Sequence, residues 1–278
     1  LPIAIKDLVD AKGLHTSQGS PIFDGHIAQL DALLVARIRA AGAIIIGKTN
    51  TPEFGLGSHT FNPVFGTTYN PYDLSRSAGG SSGGAAVALA TGMISIADGS
   101  DMMGSLRNPA AWNNVYGMRP SWGLVPSEPK EDVFLHSLST NGPMARNPKD
   151  LTLLLSVMSG ADSRLPFSIS NEGLLPLEPV NLSGKRIGWL KDWSGAFAIE
   201  PSLLKASSLA VQKFSDMGAR VDDLAAPFSS AAIWESWVTL RSWSMAALYM
   251  SYFETPQFRN LLKPAVLWEI QSGRGLSG

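Results

Sequence analysis

Apolar runs alternate with helix-periodic stretches along this chain. Leu1-Pro2-Ile3-Ala4-Ile5 is unbroken and apolar and ends at Lys6, so residues 2–6 are expected to form a strand. Residues 31–41 place Leu34, Ile38 and Ala41 on one helical face. Asp31 stands where an N-cap belongs, and Gly42 just past the end. Ala43-Ile44-Ile45-Ile46-Gly47 is a β-branched run of the kind found in buried strands. An Ala-rich helix is expected over 84–92, a strand over 93–97 and a helix over 151–158 behind Asn147-Pro148-Lys149-Asp150. Strands at 186–190 and 219–222 flank a helix at 201–217 that starts with proline. A long aromatic helix follows over 234–252. There Trp234, Trp237, Leu240, Arg241, Met245 and Leu248 recur at helical spacing and read as a core face, with rings that suit an apolar pocket.

This alternation predicts an α/β fold, a sheet with helices on both faces. The stretches 49–80 and 119–146 are longer than ordinary connections, and long ordered loops in such folds commonly build a site. Segment 160–184, rich in Ser, Pro, Asn and Leu, reads as a surface excursion. The chain begins with Leu1 and enters a strand at once, and it stops directly after a helical pattern, so a fragment cut at both ends is expected.

Composition narrows the function classes. Of 278 residues, 45% are hydrophobic and 16% charged, which suits a core-rich globular protein. A net charge of −1 provides no electrostatic footprint for nucleic acid or an anionic membrane. No apolar stretch reaches the roughly 18 residues of a membrane span. The absence of cysteine excludes disulfides and thiolate chemistry and fits a reducing, cytoplasmic setting. His15, His26, His59 and His136 lack metal-ligand spacing, and neither a metal nor a cofactor is expected.

Two glycine-serine clusters remain as candidates for chemistry. Gly79-Gly80-Ser81-Ser82-Gly83-Gly84 runs straight into the Ala-rich helix. Alone it reads equally as a linker, a phosphate cradle or a catalytic loop, although the Gly-Lys-Ser/Thr of a P-loop is missing. Ser105 lies in the turn Gly104-Ser105, where neighbouring backbone N–H groups can meet an oxyanion. No Gly-x-Ser-x-Gly elbow surrounds it. Lys6 beside Asp7 is ordinarily a solvated ion pair. At the end of a buried strand it would instead lose solvation and become a neutral amine able to accept a proton. Two serines and a lysine can supply a nucleophile and its base without histidine or metal.

In order along the chain, these clusters resemble the amidase signature family. The likeness covers most of residues 1–150. It runs from Pro2-Ile3-Ala4-Ile5-Lys6-Asp7 through Ala40 to Asn50, Pro52-Glu53-Phe54-Gly55, Asn70-Pro71, Gly79 to Gly84 and Asp101 to Pro109. It ends with Gly117-Met118-Arg119-Pro120-Ser121 and Gly123-Leu124-Val125-Pro126. The resemblance implies a mixed sheet covered by helices on both faces, in a single domain over 1–278. Residues 1–150 would be its catalytic core and 151–278 a less specific α/β remainder.

It further implies that Ser105 is the nucleophile, Lys6 the base and Ser81 the relay, with a cis peptide bond at Gly80–Ser81. Backbone N–H groups of Met102, Met103, Gly104 and Ser105 would hold the oxyanion, and Ser82, Asp101 and Arg107 would brace the site. The implied activity is hydrolysis of a small or aryl/acyl amide through an acyl-Ser105 intermediate, with a small-molecule amide as partner. The oligomeric state stays open, a homodimer included. Two further readings are a glutamine-hydrolysing component of a tRNA-dependent amidotransferase and a truncated, inactive relative. Where the family has Asp-Thr-Gly-Gly-Ser, this chain has Asp101-Met102-Met103-Gly104-Ser105, so Met103 replaces a glycine.

Overall fold

Strand β1 (Pro2–Lys6) is the sequence's first apolar run, and Ile3 and Ile5 within it are fully buried. These and the following elements come from a computed structural model that describes residues 1–128, 138–174 and 179–277. Helix α1 (Leu33–Ala40) leads to β2 (Ile44–Thr49), which returns parallel to β1. Four short strands follow in two hairpins, β3 (Phe61–Asn62) with β4 (Gly66–Thr67) and β5 (Tyr69–Asn70) with β6 (Asp73–Ser77). Helix α2 (Gly83–Ala90), β7 (Ile96–Asp101), α3 (Arg107–Trp112), β8 (Tyr116–Gly117), β9 (Thr140–Ala145) and α4 (Pro148–Met158) complete the first half.

The central sheet has the order β2-β1-β7-β9-β8. It is mixed: β1 runs parallel to both β2 and β7, while β9 runs antiparallel to β7 and β8. One apolar cluster joins Ile3, Ile5, Leu34, Ile38 and Ile96 to Leu151, Leu154, Leu155 and Met158 of α4. A second, on Ala85, Ala86, Leu89, Ala97, Leu106 and Met144, seats α2 on the sheet. Alanine and glycine let α2 approach closely. A Cβ on Gly84 would meet the backbone nitrogen of Asn50, a group that cannot rotate away. Gly84→Ala is therefore expected to destabilise the fold by about 1–3 kcal/mol through overpacking, measured by thermal or urea unfolding.

Past residue 179, β10 (Arg186–Trp189) pairs in parallel with β11 (Arg220–Asp223) around α5 (Pro201–Asp216). Helices α6 (Ser230–Glu254), α7 (Pro256–Arg259) and α8 (Pro264–Gly273) follow. A third cluster unites Met245, Phe253, Val266 and Ile270 of α6 and α8 with Phe54 and Leu56 from the long loop after β2. Among the described residues, no helix is long and apolar enough to cross a membrane.

The structure corrects four sequence expectations. The run at 43–47 is not a buried strand: β2 is an edge strand, so Ile45 packs on the core while Ile44 and Ile46 stay exposed. The strand expected at 93–97 is shifted to 96–101, leaving Met93 in solvent and burying Asp98 and Asp101. Asp31 does not cap α1. Its carboxylate accepts from Lys12 N at 2.7 Å and pairs with Arg39 at 2.8 Å, so the helix starts two residues later behind Ala32. The face proposed on α6 is only partly core: Met245 is buried, but Trp234, Leu240 and Leu248 are exposed. His136 and part of segment 160–184 lie outside the described residues.

Candidate active site

Because β1 and β7 are parallel neighbours, their carboxyl ends lie at the same edge of the sheet. That edge carries Lys6 at the end of β1 and Asp101 at the end of β7. The glycine-serine loop enters α2 beside them. Ligands in α/β sheets gather at the carboxyl ends of strands for the same topological reason.

Lys6 is fully buried. Its Nζ lies 2.7 Å from Ser81 Oγ, 2.9 Å from Ser82 Oγ and 3.0 Å from Ser100 Oγ. Such a triangle can accept three bonds from an ammonium. It can equally accept two from a neutral amine, whose lone pair then receives the third hydroxyl proton. Desolvation lowers the Lys6 pKa from 10.5 to about 7, against the opposing charges of Asp98 and Asp101. Asp7 is not its partner. The Asp7 carboxylate accepts from Ser17 Oγ at 2.6 Å and pairs with Lys48 at 3.2 Å. The Gly80–Ser81 peptide bond is cis.

Ser105 adjoins this group through its backbone: Ser82 N–H donates to the Ser105 carbonyl at 3.2 Å. Ser105 is half-buried. Its hydroxyl has no hydrogen bond among the described residues, to Ser81 or to any other group. Hydrogen bonds between catalytic groups are commonly long without substrate and tighten in the Michaelis complex.

Asp101 organises the turn that carries Ser105. It is fully buried and accepts from Gly104 N at 2.7 Å and Leu106 N at 3.1 Å. It also accepts from Arg107 Nε at 3.0 Å and Arg119 Nη1 at 3.0 Å. Burial alone would raise its pKa, but these donors outweigh burial and hold the carboxyl well below the usual range. Gly104 takes φ +107°, where an added Cβ would also strike the Asn108 side chain, so this bend requires glycine. The Gly104 N–H is committed to Asp101. The N–H groups of Met102, Met103 and Ser105 have no acceptor among the described residues. The Met103 side chain is 48% exposed and lies outside the Lys6 group.

A cavity of about 920 Å³ opens beside the turn. Met102 lines it together with Trp122, Phe167, Met245, Tyr249 and Tyr252. Tyr249 stacks on Phe54 at 4.5 Å between ring centroids, and burial pushes its hydroxyl pKa up. On the far side, Arg241 of α6 forms a bidentate pair with Glu269 of α8, at 2.7 and 2.6 Å. Its Nη1 also reaches Met102 Sδ at 3.4 Å. Sequence reasoning missed Asp98 and the role of Ser100, and it quoted Arg119 and Arg241 without assigning them to the site. One signal was available: Asp98 and Ser100 are spaced by two, which in a strand puts both on one face.

The amidase family model matches residues 1–272. The chain therefore belongs to the amidase signature family. It is 39% identical over 231 residues to a component of the glutamyl-tRNA(Gln) amidotransferase of Sulfurisphaera tokodaii, an alignment covering 83% of this chain and 48% of that relative. Among solved structures it resembles a bacterial aryl acylamidase of the same family, with a TM-score of 0.88, 26% identity, and coverage of 100% of this chain and 59% of that one. It also resembles 6-aminohexanoate cyclic dimer hydrolase, with a TM-score of 0.87, 26% identity, and coverage of 100% and 60%. The chain thus spans about half the length of the curated relatives it matches.

Proposed function

We propose that the protein is a serine amidase that cleaves the C–N bond of a carboxylic amide bearing an apolar or aryl group. One observation carries this reading: a buried amine with a pKa brought to about 7 lies 2.7 Å from the hydroxyl of Ser81, on the loop bonded to Ser105. Neutral Lys6 takes the Ser81 proton while Ser81 takes that of Ser105. The Ser105 oxygen attacks the amide carbon. The resulting oxyanion is met by N–H groups among Met102, Met103 and Ser105, the donors of the turn that Asp101 leaves free. Collapse returns the proton through Ser81 to the leaving nitrogen and releases the amine. Water then adds to the acyl-Ser105 ester by the same relay, yielding the acid and the free serine. In this reading residues 1–278 act as one unit. Residues 1–150 carry the chemistry, and α6 supplies a wall of the cavity beside Met102.

The cavity lining favours an apolar acyl or amine group. A reaction with a fluorophosphonate probe, followed by peptide mass spectrometry, tests the nucleophile directly. Stoichiometric label on Ser105, absent from Ser105→Ala, is expected; a folded protein that leaves Ser105 unlabelled overturns the reading. The 39% identity to an amidotransferase component favours a second reading, in which the same serines release ammonia from glutamine. Ammonia release from glutamine in preference to an aryl amide would decide for it.

A further inference from the structure

Asp98 is buried without exposure in the centre of β7, between β1 and β9. Its Oδ1 accepts the backbone N–H of Lys6 at 2.7 Å. Its Oδ2 is buried and has no hydrogen-bond partner among the described residues. A buried carboxylate oxygen left unpaired is unfavourable, and its charge is poorly screened. The cation beside it is Lys6, with Lys48 of β2 as the second contributor. Lys48 is itself paired with the buried Asp7 carboxylate at 3.2 Å. β9 places Pro143 opposite Asp98, and the buried faces of α2 and α4 consist of Gly, Ala, Leu and Met. On the Lys6 side, the acidic groups acting on the amine are Asp98 and Asp101, and its direct neighbours are the hydroxyls of Ser81, Ser82 and Ser100.

We propose that Asp98 is a positioning residue for the base: one carboxylate oxygen holds the backbone of Lys6 at the strand end, and the carboxylate charge, with no hydrogen bond on its other oxygen among the described residues, acts on the Lys6 amine. This assignment rests on the amidase reading above. Burial drives the amine towards a state too weakly basic to take a proton, and a nearby carboxylate opposes that drive. The same burial raises the Asp98 pKa to about 6, while hydrogen bonding and charge from Lys6 pull it down. Asp98 and Lys6 therefore titrate as a coupled pair near neutrality. Without the carboxylate, Lys6 would hold its proton less tightly. It would be neutral over a wider range, but a poorer base.

The test is the pH dependence of Ser105 labelling by a fluorophosphonate, in wild type and in Asp98→Asn. Wild type is expected to lose reactivity as pH falls through about 7, where Lys6 becomes protonated. In Asp98→Asn the acid limb should move down by about one pH unit, and the plateau should fall roughly threefold, since a weaker base accelerates less. A limb that stays in place while the plateau falls overturns the assignment, because a merely structural residue behaves that way. If wild type takes no label at Ser105, the amidase reading fails and this assignment falls with it. If it labels normally and the limb does not move, Asp98 alone is misassigned. Should Asp98→Asn not fold, carboxyl carbon-13 NMR of wild type serves instead. A second inflection of the Asp98 resonance at the Lys6 titration supports the coupling, and a single ordinary carboxylate step overturns it.

Discussion

Ser105→Ala and Lys6→Met are each expected to lower kcat/KM on an aryl amide by roughly 10⁴-fold or more, and the double variant is expected to fall no further. In the proposed amidase reading nucleophile and base act as one unit, so removing either would remove the covalent route and leave only the background from oriented binding. KM should change little for both, because the cavity wall beside the turn is built by other side chains. Lys6→Met has a second signature, in stability. In wild type the folded-state pKa of Lys6 lies near 7, below its ordinary 10.5. Between these values the unfolded chain binds a proton that the folded chain does not, so wild-type stability should rise with pH across this window. Lys6→Met lacks that proton and should show no such rise. The gap in melting temperature between the two proteins should therefore shift in favour of wild type from pH 7 to pH 10, as followed by circular dichroism. Equal pH slopes would mean that the amine is solvated in the folded protein, and the proton relay would lose its base.

What the sequence made legible was whatever depends on local pattern. The apolar run ending at Lys6, the small-residue helix behind the glycine-serine loop and the proline-started helices all appear where the residues suggest, because local propensity and burial agree there. Misplaced elements are those whose environment is set by tertiary neighbours. The residues of β7 include Asp98, Ser100 and Asp101, a composition that argues against a buried strand until the partners of those groups are known. Lys6, Gly104, Arg107 and Arg119 provide them from distant or flanking positions, and a single-sequence pattern contains no such information. Edge position is equally invisible. Three consecutive isoleucines read as interior, yet among the described residues β2 has only β1 beside it. The aromatic helix α6 has periodic rings whatever covers them, so spacing alone could not separate its buried end from its exposed one.

The site joins parts of the chain that sequence separates widely. Arg241 and Glu269 meet about midway along α6 and α8, and the guanidinium continues to the sulfur of Met102. Met102 is thus where the second half of the chain contacts the turn that carries Ser105. Its side chain also lines the cavity, so one residue bears on both the turn and the cavity wall.

Asp101→Ala is expected to be the most damaging single change to the fold, lowering stability by about 3–5 kcal/mol because it strands buried donors. The removed carboxylate accepts three backbone N–H groups, of Gly104, Leu106 and Arg107, and two guanidinium groups. Arg107 and Arg119 do not weigh equally. The Arg107 side chain is 55% exposed and regains water when its partner is lost, whereas Arg119 is 28% exposed and also donates to the carbonyls of Asp101 and Leu138. Arg107→Ala should therefore cost less than about 1 kcal/mol. Differential scanning calorimetry should show a fall of roughly 10 °C for Asp101→Ala, at a few degrees per kcal/mol. The sign with pH follows from the depressed carboxyl pKa. The contribution is fully present above the ordinary value of 3.8 and is lost as pH falls towards the folded value, so the deficit of Asp101→Ala should be constant near neutrality and shrink in acid. Activity should fall as well, by roughly 10²–10³-fold in kcat, since in the proposed reading the turn whose N–H groups meet the oxyanion loses its anchor. Equal losses for Arg107→Ala and Asp101→Ala would place the stabilisation in the exposed pair, and the buried backbone bonds could no longer be what holds the turn that carries Ser105.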